Sequence, residues 1–313
     1  MGCGGTPVCV MIDPTDDRGK IRMTNELIPF QISNDLLDQP AGLRSRMKEE
    51  GYLFFRGLVP AAVVDELYDA ILAICQECGW ADSGGHAQGE PRIEGRPEFW
   101  EVYDRVQRLE LFHALPHHPE LLRLIEILVR EQPFVHPRNI ARISFPNAEH
   151  FTTPPHQDFV HIQGTPDVYT IWMPLCECPQ ELGGVAVLAG SHRYDILPVH
   201  KAAGAGGLGV ATDQLALPWH TIDYQVGDVL VFHSHTVHKA LPNRTADRLR
   251  ISVDYRYQGV SGAIVEDGLL PHYNRLSWEE IYQGWNRPEL QYYWRTLPLR
   301  TVPRDRSFHE KAR

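Results

Sequence analysis

The residues best suited to chemistry begin with the triplet His156-Gln157-Asp158. Side chains at positions i and i+2 of a β-strand point to the same face. If the triplet lies on a strand, its imidazole and its carboxylate can therefore reach one metal ion. A chain with 16 histidines is expected to contain about one His-x-Asp triplet by chance. The triplet predicts a metal site only in combination with the residues that follow it.

Three histidines follow a second predicted strand. A Gly227-Asp228 turn precedes the apolar run 229–232, and His233, His235 and His238 come after it. Two histidines and one carboxylate on one side of an iron ion leave three coordination positions open, as in the facial triad of non-haem Fe(II) enzymes. The sequence therefore predicts an iron site that combines the triplet with one of these histidines.

A cation and a hydroxyl alternate on the next predicted strand. Residues 243–247 form a turn, and Arg250 and Ser252 share one face of the strand after it. A guanidinium beside a hydroxyl suits the far carboxylate of a dicarboxylate. Arg248 is two positions before Arg250, so alternation along a strand would place both arginines on the same face and does not distinguish them.

The elements that must position these residues are helical in the first third of the chain and β-rich in the rest. Apolar periodicity predicts helices over 34–50, 61–78 and 119–130, and a glycine-punctuated strand over 51–57. A capping box predicts a short helix near 277–284. Short β-prone runs bounded by Pro, Gly or Asn occupy 140–145, 168–175, 185–188, 229–232 and 250–257. Such runs favour a sandwich or barrel over βαβ units, and so a mainly β fold with flanking helices.

Composition limits the kind of protein. The 313 residues include 30 Lys plus Arg and 40 Asp plus Glu, a net charge of −10 that argues against a nucleic-acid partner. No apolar run reaches the roughly 18 residues of a membrane span, and no secretory h-region follows the start. Six cysteines in a chain of this length are no disulfide framework. We therefore expect a reduced, cytoplasmic protein without a membrane span.

The order of the motifs resembles the 2-oxoglutarate-dependent oxygenases and, more narrowly, the phytanoyl-CoA dioxygenase family. The resemblance covers most of the chain and rests on 51–67, 155–158, 170–175, 183–193, Gly227-Asp228, His238, Asn243 and Arg250. It implies a double-stranded β-helix, a cupin-like jelly roll whose two sheets enclose the iron. We expect an irregular segment over 1–25, whose Gly2 fits a loose N-myristoylation pattern. Residues 26–313 are then expected to form a single jelly-roll oxygenase domain with helical N-terminal support.

The resemblance also implies roles for particular residues. The Fe(II) ligands it implies are His156, Asp158 and His238. Arg250, assisted by Ser252, is implied to bind the C5 carboxylate of 2-oxoglutarate. Because Arg250 lies one residue later after Asn243 than the family pattern has it, Arg248 stays an alternative.

Other residues have weaker assignments, each with a structural alternative. Thr153 is predicted to bond a carboxylate of the cosubstrate. Trp172 packs either on the cosubstrate or in the core. Arg142 is either a second anion contact or an ordinary exposed charge. His161 faces either the substrate or solvent, and His192 is expected to tie down a loop.

The implied activity is oxidation of a C–H bond of a small organic metabolite, typical of secondary metabolism. It uses Fe(II), 2-oxoglutarate and O₂, gives hydroxylation or a related oxidation, and releases succinate and CO₂. Asp158 argues against halogenation, because related halogenases have a small residue there. The alternatives are a non-catalytic metal- or ligand-binding jelly roll and a cupin-type hydrolase or isomerase. Loops 82–100 and 201–219 are predicted to frame the entrance to the site.

Overall fold

The computed structural model describes residues 27–311. The segment 1–25 and the predicted modification at Gly2 lie outside the described residues. The helices are α1 (Pro40–Glu50), α2 (Ala61–Glu77), α3 (Pro97–Gln107), α4 (Glu110–Ala114), α5 (Pro119–Val129), α6 (Phe159–Ile162), α7 (Trp278–Ile281) and α8 (Ser307–Lys311). None of these helices has the length and apolar composition needed to cross a bilayer.

The strands fall mainly in the second half of the chain. They are β1 (Leu27–Pro29), β2 (Tyr52–Phe55), β3 (Pro133–Val135), β4 (Ile140–Ser144), β5 (Val168–Pro174), β6 (Val185–Leu188), β7 (Val199–Lys201), β8 (Leu208–Val210), β9 (Trp219–Thr221), β10 (Val229–His233), β11 (His238–Ala240), β12 (Arg250–Gly259), β13 (Ala263–Val265) and β14 (Arg300–Val302). The larger sheet has the order β2-β10-β5-β12-β3, with β4 also paired to β12. The smaller sheet has the order β1-β9-β6-β11.

Strand β12 shows how alternation divides the larger sheet. Its odd-numbered side chains belong to the main hydrophobic cluster with the N-terminal helices: Ile251, Val253, Tyr255 and Tyr257. Its even-numbered side chains are polar and point to the opposite face: Arg250, Ser252, Asp254 and Arg256. One face of the sheet therefore holds the core, and the other presents a row of charged and hydroxyl groups.

The N-terminal helices cover the apolar face of this sheet. Buried residues of α2, including Leu67 and Ile71, join Leu121 and Ile125 of α5 in the main cluster. Complete burial of an aliphatic side chain of this size stabilises the fold by about 1.5–3 kcal/mol. The helices thus support the sheet from outside and leave its polar face free for a site.

The predicted elements are largely confirmed, with differences at their ends. The helix expected over 34–50 is a 3₁₀ turn followed by α1, because the extended residue before Pro40 interrupts it. Gly51 ends α1 with a φ of 78°, and a Cβ there would lie 2.3 Å from the His192 ring. Residues 202–207 of the glycine-rich segment 201–209 form the turn of the β7–β8 hairpin. The capping box near 277 is confirmed, although α7 has only four residues.

Two buried histidines make stability depend on pH. Burial lowers the pKa of His113 to about 4 and that of His136 to about 4, so both stay neutral in the folded protein. Unfolded, each takes up a proton near pH 6.5, and their stabilising contribution, complete above pH 6.5, is lost as pH falls toward 4. Between pH 7.5 and 5 we expect the free energy of unfolding to fall by about 2–4 kcal/mol from these groups.

Denaturant unfolding at several pH values measures this dependence. His113→Gln should make the slope of unfolding free energy against pH clearly shallower than in the wild type, because one group no longer titrates. An unchanged slope contradicts the assignment of His113.

Candidate active site

One cluster of potential metal ligands is found within residues 27–311. It consists of His156, Asp158 and His238, all buried, with one ligand atom from each lying within 4.8 Å of the others. The Nε2 atoms of His156 and His238 lie 3.6 and 3.8 Å from Oδ1 of Asp158. The ring centroids of the two histidines are 4.2 Å apart. Three side chains distant in sequence therefore face one small volume.

Backbone pairing brings the two histidines together. His156 and His238 form an antiparallel bridge in which each amide donates to the carbonyl of the other, both at 3.0 Å. The prediction that the His-x-Asp triplet lies on a strand is wrong. Asp158 has helical backbone angles (φ −60°, ψ −31°) just before α6, and this turn directs its carboxylate toward the bridge. His238 opens β11 in the smaller sheet, after a turn that follows β10.

Carbonyl groups fix the orientation of both imidazole rings. Nδ1 of His156 donates to the Pro154 carbonyl at 2.8 Å, and Nδ1 of His238 donates to that of Thr236 at 3.0 Å. The Nε2 lone pairs are then free for a metal ion. Burial lowers the pKa of His238 to about 3, so its imidazole is neutral. Two imidazoles with Nε2 directed into the cluster and one carboxylate fit Fe(II).

Two residues that sequence reasoning missed hold the Asp158 carboxylate. The Thr170 hydroxyl donates to Oδ2 at 2.5 Å, and Nη2 of Arg256 lies 3.4 Å from the same oxygen. Burial alone raises the pKa of Asp158, but Arg256, His156 and His238 outweigh it and hold the pKa well below its ordinary value. Arg256 has the same parity as Arg250 on β12, so extending the alternation along the strand was a signal that could have found it.

Loss of the Thr170 hydroxyl is expected to weaken metal binding. Thr170→Val removes one donor to the Asp158 carboxylate at nearly constant volume, and partners of metal ligands are worth about 10- to 100-fold in metal affinity. We expect Fe(II) affinity, measured anaerobically by calorimetry, to fall by about 10-fold. Thr221→Val, which removes an equally buried hydroxyl bonded to the Val185 carbonyl, is the matched control and should leave Fe(II) affinity unchanged. Equal effects of the two substitutions would mean that Thr170 acts on the fold alone.

Arg250 is a buried cation without an acidic partner. It is 4 % exposed, its Nη1 donates to the Ser252 hydroxyl at 2.7 Å, and its Nε has no partner. No carboxylate oxygen within residues 27–311 lies within 4 Å of its guanidinium nitrogens. Because an unpaired buried charge is costly, this site favours an anion. Arg248 is exposed and donates to the Glu177 carbonyl, outside the site.

The turn before β12 accounts for the difference between the two arginines. The Asn243 amide donates to the carbonyls of Ser144 and Arg248 at 3.1 and 2.7 Å. This ties the turn to β4, so that β12 begins only at Arg250. Arg248 thus precedes the strand.

Two cavities adjoin these groups. We call the first, of about 420 Å³, the aromatic cavity, because its walls include Trp80, Phe99, Trp100, Tyr103, Phe145 and Tyr273; Arg250 also lines it. The second, of about 460 Å³, contains His156 and four arginines, Arg138, Arg142, Arg256 and Arg304, and we call it the arginine cavity. The two share walls at Glu94, Ile140, Arg142, Thr153, Ala205 and Tyr273. Both loops predicted at the entrance contribute, through residues 92–100 and 204–206.

The residues with weaker assignments lie in different surroundings: two line the cavities, and one lies in a core cluster. Thr153 lines both cavities. Trp172 lies in a core cluster with its ring 4.7 Å from that of Tyr224, and the Arg250 guanidinium is 6.0 Å from its ring. Arg142 is no ordinary exposed charge, because its Nε donates to Asp254 at 2.7 Å in the wall of both cavities.

The remaining candidate histidines lie outside the metal-ligand cluster. His235 packs against Phe159, and His233 lies 3.7 Å from Asp167. His192 bonds to the Lys48 carbonyl, as expected of a residue that ties down a loop. His161 lines the arginine cavity.

Comparison with known proteins identifies the family. The family model described as phytanoyl-CoA dioxygenase (PhyH) matches residues 47–252, more than half of the chain. The chain belongs to the phytanoyl-CoA dioxygenase family. As a member it is an Fe(II)- and 2-oxoglutarate-dependent oxygenase that uses O₂ and acts on small organic molecules, as the sequence predicted.

Curated relatives and solved structures agree with this membership. The 1-deoxypentalenic acid 11-beta-hydroxylase of Streptomyces exfoliatus is 27% identical over 260 residues, covering 76% of this chain and 88% of the relative. The crystal structure of the non-heme alpha ketoglutarate dependent epimerase SnoN from nogalamycin biosynthesis has a TM-score of 0.54 at 21% identity, covering 72% of this chain and 85% of its own. The carbocyclase SnoK from the same biosynthesis has a TM-score of 0.53 at 21% identity, covering 80% and 94%. The predicted cupin-like jelly roll is confirmed.

Proposed function

We propose that this oxygenase hydroxylates a C–H bond of a small organic molecule at a metal centre held by His156, Asp158 and His238. The observation that carries the proposal is the convergence of their three ligand atoms within 4.8 Å of one another, with His156 in the wall of the arginine cavity. Two imidazoles and one carboxylate would hold Fe(II) as in the facial triad of non-haem Fe(II) oxygenases, which leaves positions open for a keto acid and O₂.

Fe(II) held by these three residues would supply the activation of O₂ that couples conversion of 2-oxoglutarate to succinate and CO₂ with insertion of one oxygen atom into a C–H bond of the substrate. The remaining work belongs to the chain. His156 and His238 offer Nε2 atoms on rings oriented by carbonyls. Thr170 and Arg256 keep Asp158 ionised and in place.

We assign the C5 carboxylate of 2-oxoglutarate to Arg250 and Ser252. A buried guanidinium with a free Nε, already bonded to a hydroxyl, offers the fork that a carboxylate binds. Thr153, in the wall of both cavities, is proposed as a further polar contact of the cosubstrate. Arg248 and Trp172 receive no direct role in this proposal.

Hydroxylation is preferred over other oxidations because the curated relative named above is a hydroxylase. The alternative, a non-catalytic ligand-binding jelly roll, is disfavoured because both the metal-ligand cluster and the buried Arg250 are intact. Purified protein loaded with Fe(II) should form succinate from 2-oxoglutarate, coupled to a product 16 mass units heavier than one member of a panel of small metabolites. Fe(II)-loaded protein that never consumes 2-oxoglutarate with any compound would favour the non-catalytic alternative.

We propose that residues 26–313 act as one oxygenase domain and that the enzyme works in the cytoplasm without a nucleic-acid partner. The α1, α2 and α5 helices share the main cluster with the sheet that carries the site, which supports a single unit. The four cysteines in the described part of the chain are free thiols, as in a reducing compartment.

A further inference from the structure

The arginine cavity has more cationic groups than its own carboxylates neutralise. Arg304 forms a two-contact ion pair with Asp267, at 2.6 and 2.8 Å. Arg142 pairs with Asp254 at 2.7 Å. Arg138 donates to the carbonyls of Leu270 and Pro271 only, and no carboxylate in residues 27–311 lies within 4 Å of it. Arg138 thus has no ion pair of its own, because Asp267, the acidic group that acts on it electrostatically, is already paired with Arg304.

Arg256 adds to this excess. Its one acidic contact is Asp158, at 3.4 Å, and its Nε and Nη1 are buried without partners in the described structure. A metal ion held by His156 would also bind the Asp158 carboxylate. This would weaken the ion pair between Asp158 and Arg256. The opposing charge is Glu94, an exposed residue in the wall shared by both cavities.

The neighbouring aromatic cavity has a different character. Aromatic rings form much of its wall, among them Trp100, Tyr103 and Tyr273, whose centroids lie 5.0–6.3 Å from one another. The two cavities have six lining residues in common and are therefore adjacent. We take one molecule to place an apolar body against the rings and a charged group among the arginines. Their volumes, about 420 and 460 Å³, suit a compact small molecule.

We propose that the substrate is an apolar carboxylic acid whose carboxylate is held by Arg138, with Arg256 contributing positive potential. A single unpaired guanidinium matches a monoanion, and its planar fork matches a carboxylate. Arg138 is therefore a specificity-determining residue, distinct from Arg250. This inference rests on the proposed function, because it takes the arginine cavity to be the space beside the metal in which the substrate lies.

The test compares acids with their uncharged amides. Probes are 2-naphthoate, cyclohexanecarboxylate and decanoate, each paired with its primary amide, and binding is measured anaerobically to protein saturated with Fe(II) and 2-oxoglutarate. We expect at least one acid to bind at least 10-fold more tightly than its amide. Arg138→Gln should abolish this preference, Arg138→Lys should retain part of it, and Arg287→Gln, at an exposed arginine elsewhere, should retain all of it.

The proposal is overturned if no acid binds more tightly than its amide, or if the preference survives Arg138→Gln. An acid whose binding depends on Arg250 and competes with 2-oxoglutarate also overturns it, since that acid occupies the cosubstrate site. Affinity for 2-oxoglutarate, measured on the same proteins, should not change in Arg138→Gln. If the wild-type protein does not bind 2-oxoglutarate, the proposed function itself is contradicted. If Arg138→Gln does not fold, the acid–amide comparison in the wild type and in Arg138→Lys decides.

Discussion

Replacement of Asp158 by asparagine is expected to abolish hydroxylation and to weaken Fe(II) binding by at least about 100-fold, beyond the 10- to 100-fold that outer partners of a metal ligand contribute. The amide removes the anionic ligand but keeps an oxygen that accepts from Thr170, so the fold should persist. Arg256 loses its one ion pair, and we expect a modest fall in thermal stability. Anaerobic calorimetry with Fe(II) measures the affinity, and succinate formation measures the activity.

Asp167→Asn is the control for Asp158→Asn. Its carboxylate is 77 % exposed and lies outside the metal-ligand cluster, so the same chemical change should leave iron binding and succinate formation unaltered. Asp158→Asn protein that binds Fe(II) as tightly as the wild type would remove Asp158 from the metal site. If Asp158→Asn fails to fold, Asp158→Glu is tested in its place. It keeps the charge and should bind iron more weakly than the wild type.

Replacement of Arg250 by methionine is expected to raise the concentration of 2-oxoglutarate needed for half-maximal activity by about 100-fold or more. Truncating one partner of a buried charge pair costs about 2–5 kcal/mol, and each 1.4 kcal/mol is about 10-fold in affinity. Methionine fills a similar space and removes an unpaired buried charge from the ligand-free protein, so the fold should not suffer. Fe(II) affinity should stay near that of the wild type, because Arg250 lies outside the metal-ligand cluster.

Arg248→Met is the matched control for Arg250. Arg248 is exposed and contacts a backbone carbonyl, so its loss should leave the 2-oxoglutarate requirement unchanged. If Arg248→Met raises the 2-oxoglutarate requirement and Arg250→Met does not, the assignment is wrong and Arg248 binds the cosubstrate. Ser252→Ala should raise the 2-oxoglutarate requirement more than Arg248→Met but less than Arg250→Met, since it removes the hydroxyl that accepts from Nη1 of Arg250.

Most of the fold followed from local patterns. The helices α2 and α5 and the strands β5, β6, β10 and β12 lie where apolar periodicity and turn residues predicted them. The helix α3 was missed, because it begins at a proline directly after a glycine-rich loop and its buried apolar positions are few. The predicted strand at the His-x-Asp triplet was wrong, because a backbone bridge and a turn, rather than strand alternation, align the two side chains.

The sequence by itself determined the chemical types in the site and the family, because the order of histidine, carboxylate and arginine motifs along the chain is enough for both. Tertiary structure decided which copies of each type meet. Arg248 and Arg250 share parity, and only the start of β12 at Arg250 buries one and exposes the other. Thr170 and Arg256 are far apart in the chain and face each other because β5 and β12 pair in one register. Alternation within one strand predicts the face that each side chain takes, but not which distant strand lies beside it.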